Sequence, residues 1–237
     1  VRIGPNTLLP ADRRRITLTT ADGERLAGEL ALPQGPPRAT VVIVHPNPTG
    51  GGSMDTHVIH KAAARLPALA GIATLRFNTR GTASESGTST GTHDGGVAEA
   101  HDLAAALDFV ADLPNVWLAG WSFGTDVVLM RGLHERVHGA FLLAPTMRRT
   151  QPEHLAAWAA SGKPVRCVVP ELDDYLRPAA AADRFAALPQ AEIIPFPSCK
   201  HLFVGFADQA LDSLVDFIAP DVPTPLSREW PDQTAEV

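Results

Sequence analysis

"NVWLAGWSFGTDVVLMRGLHE", residues 115–135, joins an apolar run to a segment with helical periodicity, and at its centre "GWSFG" places glycine two before and two after Ser122. A chain that turns sharply from strand to helix leaves no room for side chains at those two places, where a Cβ would collide with its neighbours. Ser122 therefore reads as a nucleophile carried on the turn. The plainer reading is a turn serine between two glycines, and the strand before it and the helix after it favour the first.

Outward from this turn the chain alternates. "ATVVIVHP" (39–46) is a continuous β-branched run, the mark of a strand covered on both faces. A helix is expected over 54–70, a strand at "IATLRFN" (72–78), a helix over 96–112 and another over 123–135. Strands follow at "GAFLLAP" (139–145), "PVRCVVP" (164–170) and "AEIIPF" (191–196), with helices over 178–188 and 208–219. Thr150, Pro152 and Glu153 have the form of a capping box that opens one more short helix. Ahead of all this, Arg13 to Leu32 alternates apolar and polar residues on both sides of "ADG", as an antiparallel hairpin does. The pattern predicts the α/β class: a mostly parallel twisted sheet with helices on both faces. Residues 1–219 are expected to form one domain, and 220–237, rich in proline and acid, an extended or loose tail.

Composition narrows the function. The 237 residues are 45% hydrophobic and 19% charged, with a net charge of −6 and no basic block, so nothing is built to neutralise nucleic-acid phosphates. No apolar run approaches the roughly 18 residues of a membrane span, and "VRIGPNTLLP" lacks the order of a secretory signal, so a cytoplasmic setting is expected without a membrane partner. Cys167 and Cys199 are too few and too far apart for a disulfide framework or a zinc clip, and read as free thiols.

A serine hydroxyl needs a base, and the base needs an orienting carboxylate. Of the four histidines after Ser122, His134 and His138 lie before the next strand, at the wrong edge of a parallel sheet, and His154 lies in the short helix. His201 alone follows the last strand and is the expected base. "ELDDYLRP" follows the strand at 164–170 directly and offers Glu171, Asp173 and Asp174 as the acid, whereas "TMRRT" after the preceding strand offers none.

"VIVHPNPTGG", "LRFNTRGTASES", "GWSFG", "PELDDYLRP" and "KHLFVG", in that order over residues 41–206, resemble the α/β-hydrolase superfamily. Within it they are similar to small, lidless bacterial hydrolases related to dienelactone hydrolase and short-chain esterases. The resemblance implies about eight strands, no large lid, and a Gly-x-x-Asp arrangement after the penultimate strand. Pro170 stands in place of that glycine, and counting three on gives Asp173, with Asp174 as the alternative. It also implies an oxyanion site with one donor from the backbone N–H of Phe123 and one from the loop after the strand at 39–46. In "HPNP" the matching position is Asn47, and of Pro46, Asn47 and Pro48 only Asn47 has an N–H. Relatives carry Arg-Gly-x-Gly-x-Ser as a brace of that loop; here Arg80, Gly81 and Ser84 remain and Ala83 replaces the second glycine.

"TGGGS" has no phosphate-loop spacing and no lysine. His57, His60, His93 and Asp94 suggest zinc ligands, but nothing fixes a third ligand, so solvent-facing histidines are the better reading and no metal or cofactor is expected. Trp121 and Phe203 offer apolar surface for a substrate's acyl chain, or are simply core. The expected activity is a serine hydrolase acting on a small-molecule carboxylic ester or thioester. The rivals are a hydrolase-fold binding protein without turnover, and an acyltransferase or peptidase using the same three residues.

Overall fold

β-Branched runs supply the middle of an eight-stranded sheet, and the computed structural model describes residues 2–231. The chain opens with the hairpin β1 (Asp12–Thr19) and β2 (Arg25–Leu32), then β3 (Ala39–Val44), α1 (His57–Ala70) and β4 (Ile72–Phe77). Two short strands, β5 (Ala83–Ser84) and β6 (Gly87–Thr88), interrupt the loop before α2 (Glu99–Phe109). β7 (Val116–Trp121), α3 (Phe123–Arg131), β8 (Val137–Leu143), α4 (Pro152–Ser161), β9 (Val165–Pro170), α5 (Pro178–Phe185), β10 (Ala191–Phe196) and α6 (Ala207–Ile218) follow.

The strand order is β1-β2-β4-β3-β7-β8-β9-β10. β1, β2 and β4 pair antiparallel, and every pairing from β4 onward is parallel. From β3 the chain winds to one side through β4 and then to the other through β7, so the winding reverses between β3 and β7. Ligand sites in open α/β sheets lie beyond the carboxyl ends of strands at such a reversal. Ser122 is the residue directly after β7.

The central strands are buried on both faces, and their period of two sends alternate residues to opposite layers. Val42 and Val44 pack with Leu103 and Leu107 of α2, Val127 and Val128 of α3, and Trp158 of α4. Val41 and Ile43 pack with Ile59 and Leu66 of α1 and Leu211 and Leu214 of α6. Each fully buried Val or Leu contributes roughly 1.5–3 kcal/mol of transfer free energy, so both layers must form for the carboxyl edge of the sheet to be rigid.

Between β8 and β9 stands only α4 with its loops, so no large lid covers that edge. The expected cap of α4 is corrected by one residue: Gln151 is the N-cap, and His154 Nδ1 accepts from the Gln151 N–H at 2.9 Å. Thr150 is drawn away because its hydroxyl donates to buried Asp126 at 2.6 Å. Residues 220–229 follow α6 as turns and bends, where the Leu226 N–H donates to Asp212 at 2.8 Å and Glu229 forms an antiparallel bridge with Arg2. The rest of the expected tail, 232–237, lies outside the described residues. Among the described residues no helix is long and apolar enough to cross a membrane.

Candidate active site

The turn at Ser122 is as tight as its glycines require. A Cβ on Gly120 would lie 2.5 Å from the Gly124 carbonyl oxygen, and a Cβ on Gly124 would lie 2.2 Å from that of Val44. Ser122 itself sits at φ 54°, ψ −116°, a conformation that residues other than glycine rarely adopt. Its N–H donates to Leu143 O of β8 at 2.9 Å, and its carbonyl accepts from the Thr125 hydroxyl at 2.6 Å. Backbone strain held in place by such bonds concentrates where a function requires it. Ala144, Met147, Ser198 and Phe203 also have positive φ, and all lie in loops beyond the carboxyl ends of β8 and β10.

Three distant segments meet at this turn. His201 Nε2 lies 2.8 Å from Ser122 Oγ, and His201 Nδ1 lies 2.9 Å from Asp173 Oδ2. The Asp173 side chain is fully buried, and its other oxygen accepts from the Tyr175 N–H at 2.7 Å, which fixes the carboxylate toward the ring. Asp174 is exposed and lines the cavity beside His201, whose Nδ1 is met by Asp173. Glu171, the third carboxylate in that loop, accepts from the Ser198 N–H at 2.7 Å, while the Leu172 N–H donates to Cys199 O at 2.9 Å. These bonds join the acid-bearing turn to the histidine-bearing turn, so Pro170 in the glycine's place does not displace Asp173.

The two expected oxyanion donors stand on adjoining elements. Phe123 opens α3, and the first N–H groups of a helix have no partner within it. The close approach of Gly124 to Val44 sets the start of α3 against the end of β3, three residues before Asn47. Asn47 begins a short 3-10 turn, Pro48–Gly50, with its side chain accepting from the Thr49 N–H at 3.2 Å and its carbonyl accepting from Gly50 and Gly52 at 3.0 Å each. A Cβ on Gly52 would lie 2.2 Å from Pro46 O, so this loop folds tightly back on itself.

His45, which sequence reasoning left without a role, braces that loop from below. It is fully buried, its Nδ1 donates to Pro46 O at 2.6 Å, and its Nε2 accepts from the Thr79 N–H at 3.0 Å. Burial pushes its pKa down to about 4, so the ring is neutral. Arg80, expected to brace that loop, instead grips Asp102 of α2 through Nε at 2.9 Å and Nη2 at 2.8 Å and Asp22 of the β1–β2 turn through Nη1 at 2.8 Å, while its neighbour Thr79 makes the contact with His45. Asn78 accepts from the Met54 N–H at 2.9 Å and donates to Ser84 Oγ at 3.0 Å, tying the 78–96 loop to the segment before α1. Asp126 is legible as the one carboxylate of apolar α3, but its partners, like those of Asp102, are not.

Two substrate contacts expected from the sequence are corrected. Trp121 is 1% exposed and Phe203 fully buried, so neither ring faces the site's surface. Both pack among core residues on the α1 and α6 side, and the Trp121 indole N–H instead donates to His201 O at 3.2 Å. Apolar surface beside His201 comes from Leu202, Val204 and Phe206, which line a cavity of about 290 Å³ together with Lys200 and Asp174. Burial, reinforced by the Asp173 charge, raises the Cys199 thiol to about 11, so it stays protonated at neutral pH. His93 lies 2.7 Å from buried Glu99, away from His57 on α1, whose ring instead meets Trp121 edge-on at 5.4 Å. Among the described residues no cluster of three or more His, Cys, Asp or Glu side chains is arranged to hold a metal ion.

No protein-family model matches the chain. An uncharacterised protein of Rickettsia prowazekii is 32% identical over 109 residues, and the match spans 44% of each chain, less than half the length of that relative. Solved structures match over much more. A serine hydrolase without a lid from Xanthomonas campestris is 26% identical, with a TM-score of 0.73 over 92% of this chain and 99% of its own. A serine hydrolase homologue from Coxiella burnetii is 26% identical, with a TM-score of 0.71 over 89% and 99%. A Pyrococcus furiosus esterase shares the fold at 17% identity and a TM-score of 0.72, over 90% of this chain and 93% of its own.

Proposed function

The chain belongs to the α/β-hydrolase superfamily, and we propose that it is a serine hydrolase cleaving a small or short-chain carboxylic ester or thioester through an acyl-enzyme on Ser122. The observation that carries this reading is the continuous contact from Ser122 Oγ through both nitrogens of His201 to Asp173, beside a serine held at positive φ. In this reading His201 Nε2 takes the proton as Ser122 Oγ bonds to the scissile carbonyl carbon. The oxygen of the tetrahedral intermediate collects the negative charge and accepts from the N–H groups of Phe123 and Asn47. Collapse breaks the bond to the alkoxide or thiolate, which leaves with the proton from His201. Water, deprotonated by the same nitrogen, then releases the acid and restores the Ser122 hydroxyl.

Asp173 holds the imidazole in one tautomer and offsets its charge when protonated. The absence of a large lid and the 290 Å³ cavity beside His201 favour compact substrates over bulk lipid. A single domain over residues 1–219, working without a cofactor, suffices for this chemistry. The test compares hydrolysis of p-nitrophenyl acetate and butyrate by the native protein and Ser122→Ala, with fluorophosphonate labelling of both. Loss of turnover and labelling in the variant is expected. Equal rates above background in both remove Ser122 from the account, and product analysis with alcohol or amine acceptors separates hydrolysis from acyl transfer.

A further inference from the structure

The buried arginines among the described residues have carboxylate partners. Arg65 meets Asp208, Arg76 meets Glu29 and Asp55, and Arg80 meets Asp22 and Asp102, while half-buried Arg166 meets Glu192 and Asp216. Exposed Arg148 and half-buried Arg149 stand side by side in the loop after β8, and, as for several other exposed arginines, no carboxylate among the described residues lies at ion-pair distance from either guanidinium. Each rests on an aromatic ring instead. The Arg149 guanidinium carbon stands 5.0 Å from the centre of the Phe123 ring, and that of Arg148 stands 5.7 Å from the centre of the Tyr175 ring. Phe123 directly follows Ser122, and the Tyr175 ring packs 4.5 Å from the His201 ring. Arg148 is therefore one aromatic ring away from the His201 ring, and Arg149 rests on the buried ring of the residue next to the nucleophile in sequence.

The loop that carries them is held rigidly. Buried Asp126 accepts from the Arg149 N–H at 3.1 Å, the Thr150 N–H at 2.9 Å, and the hydroxyls of Thr150 at 2.6 Å and Thr146 at 2.7 Å. Arg184 donates to Met147 O at 2.8 Å from the other side. A guanidinium stacked on a ring keeps its edge N–H groups free, in the planar fork that matches a carboxylate or phosphate. Beside Arg148 there is room for such a group: Arg148, Arg184 and Gln151 line a cavity of about 470 Å³, where Asp183 is the acid among the lining residues and Arg149 is not one of them. The whole chain carries a net charge of −6, so this unpaired pair beside the site is a local reversal of sign.

Resting on the hydrolase reading above, we infer that the substrate carries an anionic group, a carboxylate or a phosphate, set off from the scissile carbonyl and held by Arg148 and Arg149. The guanidiniums then act on specificity, orienting the ester across Ser122, and take no part in proton transfer. An ester without the charge would bind without that anchor.

The test measures kcat/KM for matched charged and neutral substrates in three arms. 4-Nitrophenyl hemisuccinate against 4-nitrophenyl butyrate places a carboxylate on the acyl side. 4-Acetoxybenzoate against phenyl acetate places it on the leaving group, and S-acetyl phosphopantetheine against S-acetyl pantetheine places a phosphate there. In at least one arm the native protein should prefer the charged substrate by about tenfold or more, and that preference should shrink as salt rises from about 0.02 to 0.5 M. The double variant R148Q/R149Q should lose about tenfold more on the charged substrate than on its neutral partner, whereas R148K/R149K should keep part of the preference through its charge. Turnover of the neutral ester and fluorophosphonate labelling report that each variant is folded. A native protein that labels and turns over but prefers the neutral ester in every arm overturns the inference alone, as does a preference that the glutamine variant leaves in place. Failure of the native protein both to label and to hydrolyse any ester overturns the hydrolase reading and this inference with it.

Discussion

Two histidines among the described residues lie against carboxylates, one touching Ser122 itself and the other the ring of its neighbour Phe123. His201 approaches Asp173 at 2.9 Å, and His93 approaches Glu99 at 2.7 Å while its ring meets the Phe123 ring edge-on at 4.9 Å. The pairs differ in what surrounds the contact. Asp173 spends one oxygen on the Tyr175 N–H and presents the other to His201, whose far nitrogen meets the Ser122 hydroxyl. Glu99 spends both oxygens on backbone, accepting from Gly96 at 2.7 Å and Asp94 at 3.2 Å, and burial raises its pKa. His93 Nδ1 is buried without a well-formed hydrogen bond despite its short approach. Proximity of imidazole to carboxylate is thus insufficient for proton transfer chemistry. A free second nitrogen aligned on a hydroxyl, with the carboxylate held in plane, distinguishes the first pair.

The sharpest way to break this contrast is to remove its reacting members. Ser122→Ala should reduce kcat/KM for p-nitrophenyl butyrate by about 10⁴-fold or more. Asp173→Asn should cost about 10³- to 10⁴-fold by leaving His201 in the wrong tautomer, while Asp174→Asn should cost less than about threefold. Similar losses in the two aspartate variants would mean that Asp173 does not orient the ring. Gly124→Ala drives a methyl into Val44 O, so urea unfolding should register at least about 3 kcal/mol of destabilisation, the upper end for overpacking.

His45 supplies a third comparison, a histidine with backbone partners and no carboxylate. Its folded pKa, about 4, lies below the 6.5 of the unfolded chain, so the unfolded state takes up a proton first as pH falls. The stability it contributes is present above pH 6.5 and is lost between 6.5 and 4, a fall of about 3 kcal/mol. Urea midpoints at pH 7 and pH 4.5 should show a shallower pH dependence in His45→Asn than in the native protein. Glu99→Gln is the mildest change: one amide oxygen replaces two acceptors, which should lower stability by about 1–3 kcal/mol and leave ester turnover within about threefold. A loss of turnover comparable to that of Asp173→Asn would erase the distinction between the two pairs.

Much of this architecture was legible before any coordinate. The continuous run at β3, the hairpin around "ADG" and the strand-helix alternation that ends at α6 record burial through hydropathy periods of two and 3.6, which are local properties. The glycines at 120 and 124 and the lone N–H between Pro46 and Pro48 are equally local, because they concern backbone that must turn or donate. His201 could be selected by its place after the last strand. The choice between Asp173 and Asp174 could not, since adjacent side chains point in different directions and only the turn beyond β9 decides which meets the ring.

Burial across the fold was the part sequence reasoning missed. Trp121 and Phe203 looked available to a substrate because aromatic residues serve equally in cores and at sites, and only the layer formed with α1 and α6 encloses them. The partners of His45, Asp102, Asp126 and Glu99, and the lack of a carboxylate partner for Arg148 and Arg149, depend on which loops the strand order brings together. The sequence by itself determined the periodic elements, the tight turn at Ser122 and the order in which serine, acid and histidine occur. Tertiary structure alone decided which charges are neutralised and which rings are covered, because those follow from contacts between segments tens of residues apart, on which no local period bears.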